Sequence, residues 1–515
     1  MGVMMLLNTD NTSNNSKVQN PLYSRQLTSS LQENTLLLKE IFLKDDTLRI
    51  RNIENSKVPL LKCSIIYIDG MVSNTYMSEN IIKPIIEADL SASIQKDELL
   101  PKLLNQIIPS GDIKKSNDIN EILNCITAGD TLVLVDGSSS LLIINSRDLK
   151  TRAISEPGSE KSIRGPKEGL TESLMINITL IRRIAKNPNL KFHFKKLGTD
   201  TNTTVCLCYI EGIVQDKILA EVISRLDAIS INSIISTEYI QEFIDDAPLS
   251  PFETVGSTER PDVLVGKILE GRVGIMIDGS PFALTVPFLF IEYFQAAEDY
   301  YNNFIFMSFN RLLRIASFIL SISIPALYLA LLTYNQEMIP TNLLLSIYAA
   351  RENVPLPTVI ESILMILVFE VLREAGTRLP SDIGEAISIV GALVLGQAAV
   401  NARLVSAPMV IVVGLTGIVG LINVKVIGAS IVVRFIFLIL SSLLGVYGYL
   451  FGVIVLIVYL MSLRSFGVGY MNTIGSISSE TIIDSAIRAP WWQLSLKEFK
   501  ISIKGKIINR SRARK

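Results

Sequence analysis

Histidine is almost missing from this chain of 515 residues: there is one, His193. Cysteine occurs four times, as Cys63, Cys125, Cys206 and Cys208. One histidine leaves no His-based acid–base pair, and the absence of a second close cysteine pair leaves no zinc-type spacing. Cys206 and Cys208 are two apart in a strand-like run, so they share a face and read as buried apolar thiols. There is no Walker motif and no Gly-x-Ser-x-Gly elbow, so no enzyme and no cofactor is expected. Charge is also scarce. Asp, Glu, Lys and Arg make up 19% of the chain, below the ~25% of an average soluble protein. The net charge of −1 lacks the basic excess of nucleic-acid binders, and no nucleic-acid partner is expected. Met1–Leu7 is too short for a signal peptide and has no basic flank. Leu6 stands where a myristoylation signal needs Ser or Thr. The N-terminal region is therefore expected on the cytoplasmic side.

What is abundant is unevenly spread. Apolar residues are 49% of the chain. Up to about residue 305 they are mixed with charges as in globular sequence. From 311 to 464 Ile, Leu, Val, Ala and Gly dominate, and beyond 464 the chain turns basic. Residues 1–30 are rich in Asn, Ser and Thr and read as a disordered tail. A repeat follows. Tyr67-Ile68-Asp69-Gly70-Met71-Val72 returns as Tyr209-Ile210-Glu211-Gly212-Ile213-Val214, and Asp136-Gly137-Ser138 returns as Asp278-Gly279-Ser280. The offset is 142 in both cases (209 − 67 and 278 − 136). Two distant matches at one offset indicate a duplicated unit, with copies over 31–150 and 151–305. Each copy shows a strand (61–68; 204–210), then a helix (78–86; 216–226), then a hairpin with Asp-Gly at its turn. The expected fold class is an α/β soluble region of two duplicated subdomains, followed by an all-α multi-pass transmembrane domain.

That domain is placed at 306–465. Ile315–Tyr334 is a run of 20 residues without a charge, enough at ~1.5 Å per residue to span ~30 Å of hydrocarbon. Further segments are expected near 357–372, 383–400, 407–422, 429–446 and 449–463, the last two joined by a turn near Gly448. Arg311 and Arg314 before the first span, and the basic tail 466–515 after the last, place both ends inside, which requires an even number of crossings; six are expected. Charges within the segments stand out because each costs at least ~2.5–3.5 kcal/mol at mid-bilayer. Arg434 must face protein, water or a partner. Glu361 and Glu370 lie nine residues apart, on opposite faces of a helix. One of them is expected to pair with Arg434, with snorkelling as the alternative. Glu385, Ser388, Ala392, Gly396 and Ala399 recur at three- and four-residue spacing. Such a stripe of small residues permits close helix packing or lines a narrow ion path.

Several stretches resemble the A-subunit family of bacterial spore germinant receptors. They include Ser162-Ile163-Arg164-Gly165-Pro166-Lys167-Glu168-Gly169-Leu170-Thr171-Glu172, Ile339-Pro340-Thr341, Ala350-Arg351-Glu352, Leu372-Arg373-Glu374-Ala375-Gly376 and Ser388-Ile389-Val390-Gly391-Ala392 through Val400. The resemblance implies a multi-pass protein of the spore inner membrane, working with a transporter-like, nutrient-binding B subunit and a lipoprotein C subunit. It also implies a homo-oligomeric ring conducting monovalent cations once nutrient is sensed, which favours the pore reading of 384–400. Arg164, Gly165, Pro166, Lys167 and Glu168 are then candidates for a contact between subunits. The alternative from the residues themselves is a turn whose charges cap a helix beginning near Thr171. Two other functions remain open: a non-conducting scaffold coupling a sensor to downstream proteins, and a secondary transporter. Against the transporter, no inverted repeat or matched pair of broken helices is visible.

Overall fold

The computed structural model describes residues 21–55, 61–88, 96–148, 156–158, 160, 162–378, 394–472 and 485–494. The duplication is written into its sheets. The first has strands β1 (Leu48–Glu54), β2 (Lys62–Ile68), β3 (Ile113–Ser116), β4 (Thr131–Val135) and β5 (Leu141–Ile144), in the order β1-β2-β4-β5-β3. The second has β6 (Leu190–Leu197), β7 (Thr203–Ile210), β8 (Gly256–Thr258), β9 (Val273–Ile277) and β10 (Ala283–Val286), in the order β6-β7-β9-β10-β8. All ladders are antiparallel, and the 142-residue offset holds through their register. Leu48 faces Ile68 as Leu190 faces Ile210, Cys63 faces Val135 as Val205 faces Ile277, and Ser116 faces Leu141 as Thr258 faces Ala283.

Central strands read as unbroken apolar runs because both sheet faces are covered by helices. In the first module Cys63, Ile65, Val133 and Val135 enter one core cluster, while Ile66, Ile68, Leu132 and Leu134 enter the other. In the second, Val205, Leu207, Ile275 and Ile277 face one way and Cys206, Cys208 and Met276 the other. Both close cysteines thus sit on one buried face, where burial pushes the Cys208 thiol up to about 12. Gly274 makes room for it: a Cβ there would lie 2.5 Å from the Cys208 sulfur.

Each module opens with the same bracket. Thr28 N–H donates to Asn34 Oδ1 (2.9 Å) and Asn34 Nδ2 returns a bond to Thr28 O (2.7 Å). Thr171 and Asn177 repeat it at 2.7 and 2.6 Å. Two expectations are corrected here. Residues 21–30 are packed rather than part of the polar tail: Leu27 is buried, and Tyr23 donates from its hydroxyl to Asn189 at 2.8 Å. The helix expected from Thr171 begins at Leu174, and its N–H is capped by Asp278 Oδ1 at 3.1 Å, not by the charges of 164–168. The modules meet through a buried ion pair, Arg182 with Asp45, whose guanidinium also donates to Thr47 Oγ1 at 2.9 Å.

The chain then enters helices over Phe304–Thr333, Thr341–Arg351, Thr358–Arg378, 394–401, Ala407–Leu421 and Ile427–Ser462. Among the described residues, two helical stretches are long and apolar enough to cross a membrane: Phe304–Thr333 and Val424–Ser462. The second is a hairpin. Its backbone leaves the helical region at Gly445 (φ 62°, ψ −140°). The reversal is therefore at Gly445, three residues before the expected turn. Gly448 instead lies where the two arms cross, a Cβ there falling 2.1 Å from Leu440 O.

Candidate functional site

Arg434 lies on the first arm of the hairpin and is buried. Its Nε donates to Ser321 O on the 304–333 helix (2.9 Å), and its Nη1 donates to Glu370 Oε1 on the 358–378 helix (2.7 Å). Glu370 Oε2 meets Arg373 one turn on at 2.6 Å. Gly420 of the 407–421 helix approaches the other end of the guanidinium, where a Cβ would stand 3.6 Å from Nη2. One side chain thus ties three helices and touches a fourth. Stranding a buried charge of this kind costs about 3–5 kcal/mol.

Glu361, on the opposite side of the same helix, does not reach Arg434. It is buried, and its Oε1 accepts from both the N–H and the hydroxyl of Ser406 at 2.6 Å. Ser406 precedes the helix Ala407–Leu421, so Glu361 places negative charge on that helix's N-terminus, where the dipole favours it. Arg351, from the short helix 341–351, comes within 3.7 Å of Glu361 Oε2.

A second charge cluster joins the helices to the second module. Buried Asp299 accepts from Arg311 Nε at 3.1 Å and Arg314 Nη2 at 2.5 Å. Nearby, Glu292 pairs with Arg272 and, at 2.7 Å, with Lys267. Burial alone would raise the Glu292 carboxyl, but Arg272 and Lys267 outweigh it and hold the group below its usual range. The chain leaving the last helix returns to the same module. Ser465 Oγ donates to Thr254 O at 2.6 Å, Phe466 N–H donates to Asp246 Oδ2 at 2.5 Å, and the Phe466 ring is buried in that module's core beneath Arg225 (4.3 Å). Both ends of the helical block are therefore clamped to one module.

The remaining expected residues are placed as follows. Glu385, Ser388 and Ala392 lie outside the described residues. Gly396 and Ala399 lie against the 407–421 helix, a Cβ on Gly396 falling 3.3 Å from Val410. The 164–168 strap crosses the base of the helical block. Gly165 (φ 123°) sits against the Tyr301 ring, where a Cβ would lie 2.6 Å away. Pro166 O accepts from Arg260 at 2.9 Å, Lys167 pairs with Glu156 at 2.9 Å, and Glu168 pairs with Arg183. Arg164 is exposed. Among the described residues no three His, Cys, Asp or Glu side chains gather as for a metal ion.

The family model for the Bacillus/Clostridium GerA spore germination proteins matches residues 37–499. The chain belongs to the GerA family. It is similar to spore germination protein KA of Bacillus subtilis, 42% identical over 472 residues, covering 91% of this chain and 86% of that one. It is 38% identical over 433 residues to the membrane protein YfkQ of the same organism, covering 84% of each. A crystal structure of the N-terminal domain of the A subunit of the Bacillus megaterium germinant receptor GerK3 matches at 32% identity and TM-score 0.42, over 52% of this chain and 98% of that domain. This GerA-family chain is accordingly a spore germination protein rather than an enzyme.

Sequence reasoning missed Asp299, Glu292, Ser406, Ser321 and Phe466. Asp299 had a signal: it is the nearest acid before Arg311 and Arg314. Ser321 had none, because it contributes a backbone carbonyl.

Proposed function

We propose that this chain is the A subunit of a germinant receptor in the spore inner membrane. It crosses the membrane several times, keeps both modules in the cytoplasm, and assembles into a homo-oligomer that conducts monovalent cations when nutrient is sensed. A transporter-like B subunit binds the nutrient, and a lipoprotein C subunit completes the complex. The observation that carries this reading is the network of buried Arg434 with half-buried Glu370 and Arg373 at the meeting of the apolar helices. Charges persist among such helices where they face protein, water or a partner, and they mark paths and moving parts. The clamps at both ends of the helical block give the second module a rigid hold on it. In this reading Glu385, Ser388, Ala392, Gly396 and Ala399 line the path. Arg164 and the exposed face of its strap meet the neighbouring subunit.

Reconstituted full-length protein tests the reading through cation flux in liposomes. Flux that is lost in Arg434→Ala and regained by no other single change at that site supports a channel. Intact oligomers without flux, alone or with the B and C subunits, would leave the scaffold as the function. Saturable binding of labelled nutrient by this chain alone would favour a transporter.

A further inference from the structure

The contact between the two modules has a direction. Residues 44–47 of the first module lie along the outer edge of β6 in the second. Asp46 N–H donates to Phe192 O at 2.9 Å, and Phe194 N–H donates to Asp46 Oδ2 at 2.8 Å. Bonds of this kind extend a sheet at its edge. Three side chains of basic type complete the seat. Arg182 takes Asp45, His193 Nδ1 lies 3.1 Å from Asp46 Oδ2, and Lys191 Nζ donates to Ile41 O at 2.9 Å.

The first module repeats this seat on its outer side. β1 ends its sheet, as β6 ends the other. By the 142-residue offset Ile50 and Asn52 correspond to Phe192 and Phe194, and Arg49 and Arg51 to Lys191 and His193. The two edge strands share one register, so Ile50 and Asn52 turn the same backbone groups outward. In the leading helix the Thr-Asn bracket sets the offset at 143 (171 − 28), which makes Lys39 the counterpart of Arg182. Burial separates the two seats. Arg182 and Lys191 are 1% and 0% exposed, whereas Lys39, Arg49 and Arg51 are all exposed. The acids beside them are Glu40 and Asp69. Asp69 lies 3.1 Å from Arg49, as Glu211 lies 3.7 Å from Lys191 in the occupied seat. Basic side chains along an open edge turn away basic strands and admit an acidic one. A second copy of this chain does not supply it from the equivalent place. Where the first module has Asp45-Asp46-Thr47, the second has Asn187-Pro188-Asn189, with no acid and no N–H at its centre.

We propose that the outer edge of β1, with Lys39, Arg49 and Arg51, is a docking site for an extended acidic segment of a partner protein. The segment pairs with the backbone of Ile50 and Asn52 as residues 44–47 pair with β6. Its carboxylates meet the basic side chains, and the exposed edge of the first sheet is thereby extended by one strand.

The chain's own acidic segment serves as the probe. A fluorescent peptide of residues 41–48 is titrated into full-length protein in detergent and followed by anisotropy. Saturable binding is expected, about tenfold weaker when both aspartates of the peptide are replaced by asparagine, because charge-assisted bonds become neutral ones. Asn52→Pro removes the outward N–H at an edge position where proline is tolerated. The variant K39Q/R51Q removes charge from the surface and leaves the backbone alone. Each weakens binding about tenfold, and His193→Gln, in the seat already filled, leaves it unchanged. K39Q/R51Q decides the matter if Asn52→Pro fails to fold. No saturable binding up to about 1 mM, equal binding of the asparagine peptide, or binding that His193→Gln weakens and K39Q/R51Q does not, overturns the proposal. Self-association that K39Q/R51Q abolishes, with no peptide bound, makes a second copy the occupant and overturns it as well. None of these readouts involves ion flux, so the channel reading stands or falls separately.

Discussion

The two modules share a sheet order and a register, yet they do different work at one equivalent position. In the first, residue 130 is Asp and pairs with half-exposed Arg147 at 2.7 Å, closing the module's own edge. In the second, residue 272 is Arg, fully buried, and pairs with Glu292 on the segment that leads into the first long apolar helix. The sign of the charge is inverted and its reach is extended. The second module also receives the chain returning from the last helix, through Ser465 and Phe466. Duplication supplied a stable sheet twice; exchanging a few residues at its rim turned one copy into a socket for the helices.

The comparison predicts unequal responses to equivalent changes. The largest effect belongs to Asp299→Ala, which strands Arg311 and Arg314 at the base of the helix. About 3–5 kcal/mol of destabilisation is expected, read as an earlier unfolding transition of detergent-solubilised protein. A shift no larger than that of a surface mutant would break the socket argument. Phe466→Ala comes next, at about 3 kcal/mol for a buried ring removed without replacement. Faster hydrogen exchange in residues 246–254, without change in β1–β5, is the signature that separates release of the clamp from general loosening.

Glu292 gives a pH-dependent effect of intermediate size. Its carboxyl is held below the ordinary value in the folded state, so its stabilisation is fully present above about pH 4.3. That contribution is lost as pH falls through the folded value, because protons then bind the unfolded chain first. Glu292→Gln should be less stable than the parent near neutrality, and the two should converge under acid. Parallel curves down the acid limb would remove Glu292 from the account. The smallest effect is that of Asp130→Ala, which breaks a pair with one partner in solvent and should cost about 0–1 kcal/mol. If its loss matched that of Asp299→Ala, the modules would not differ in the way described.

Much of the fold of the two α/β modules was legible because it was written twice. A single offset located β2, β4 and β5 and their partners β7, β9 and β10, and Asp-Gly marked both hairpins with glycine at positive φ (88° and 98°). The edge strands β1 and β6 were less visible. β1 alternates charged and apolar residues, as Leu48-Arg49-Ile50-Arg51, in a half-exposed pattern, and it is completed by pairing along β2 rather than by its own propensity. In the helical block the apolar runs were plain, but their ends were not. The reversal fell at Gly445 because Tyr334 and Asn335 pack against it, with Asn335 Oδ1 accepting from Val446 N–H at 3.3 Å. Nothing local to residues 445–448 distinguishes one glycine from the other.

By itself the sequence determined the repeat, the central strands and Asp-Gly hairpins of each copy, the shared buried face of Cys206 and Cys208, and the presence of costly charges among apolar helices. These follow from short-range periodicity and from the price of moving an ion out of water. Only the tertiary structure decided partners. Glu361 and Glu370 are the same residue type on opposite faces of one helix, nine residues apart, and packing assigns one to the N-terminus of the 407–421 helix and the other to Arg434. A pairing between helices depends on which faces meet, and that is a property of the whole block rather than of any one segment.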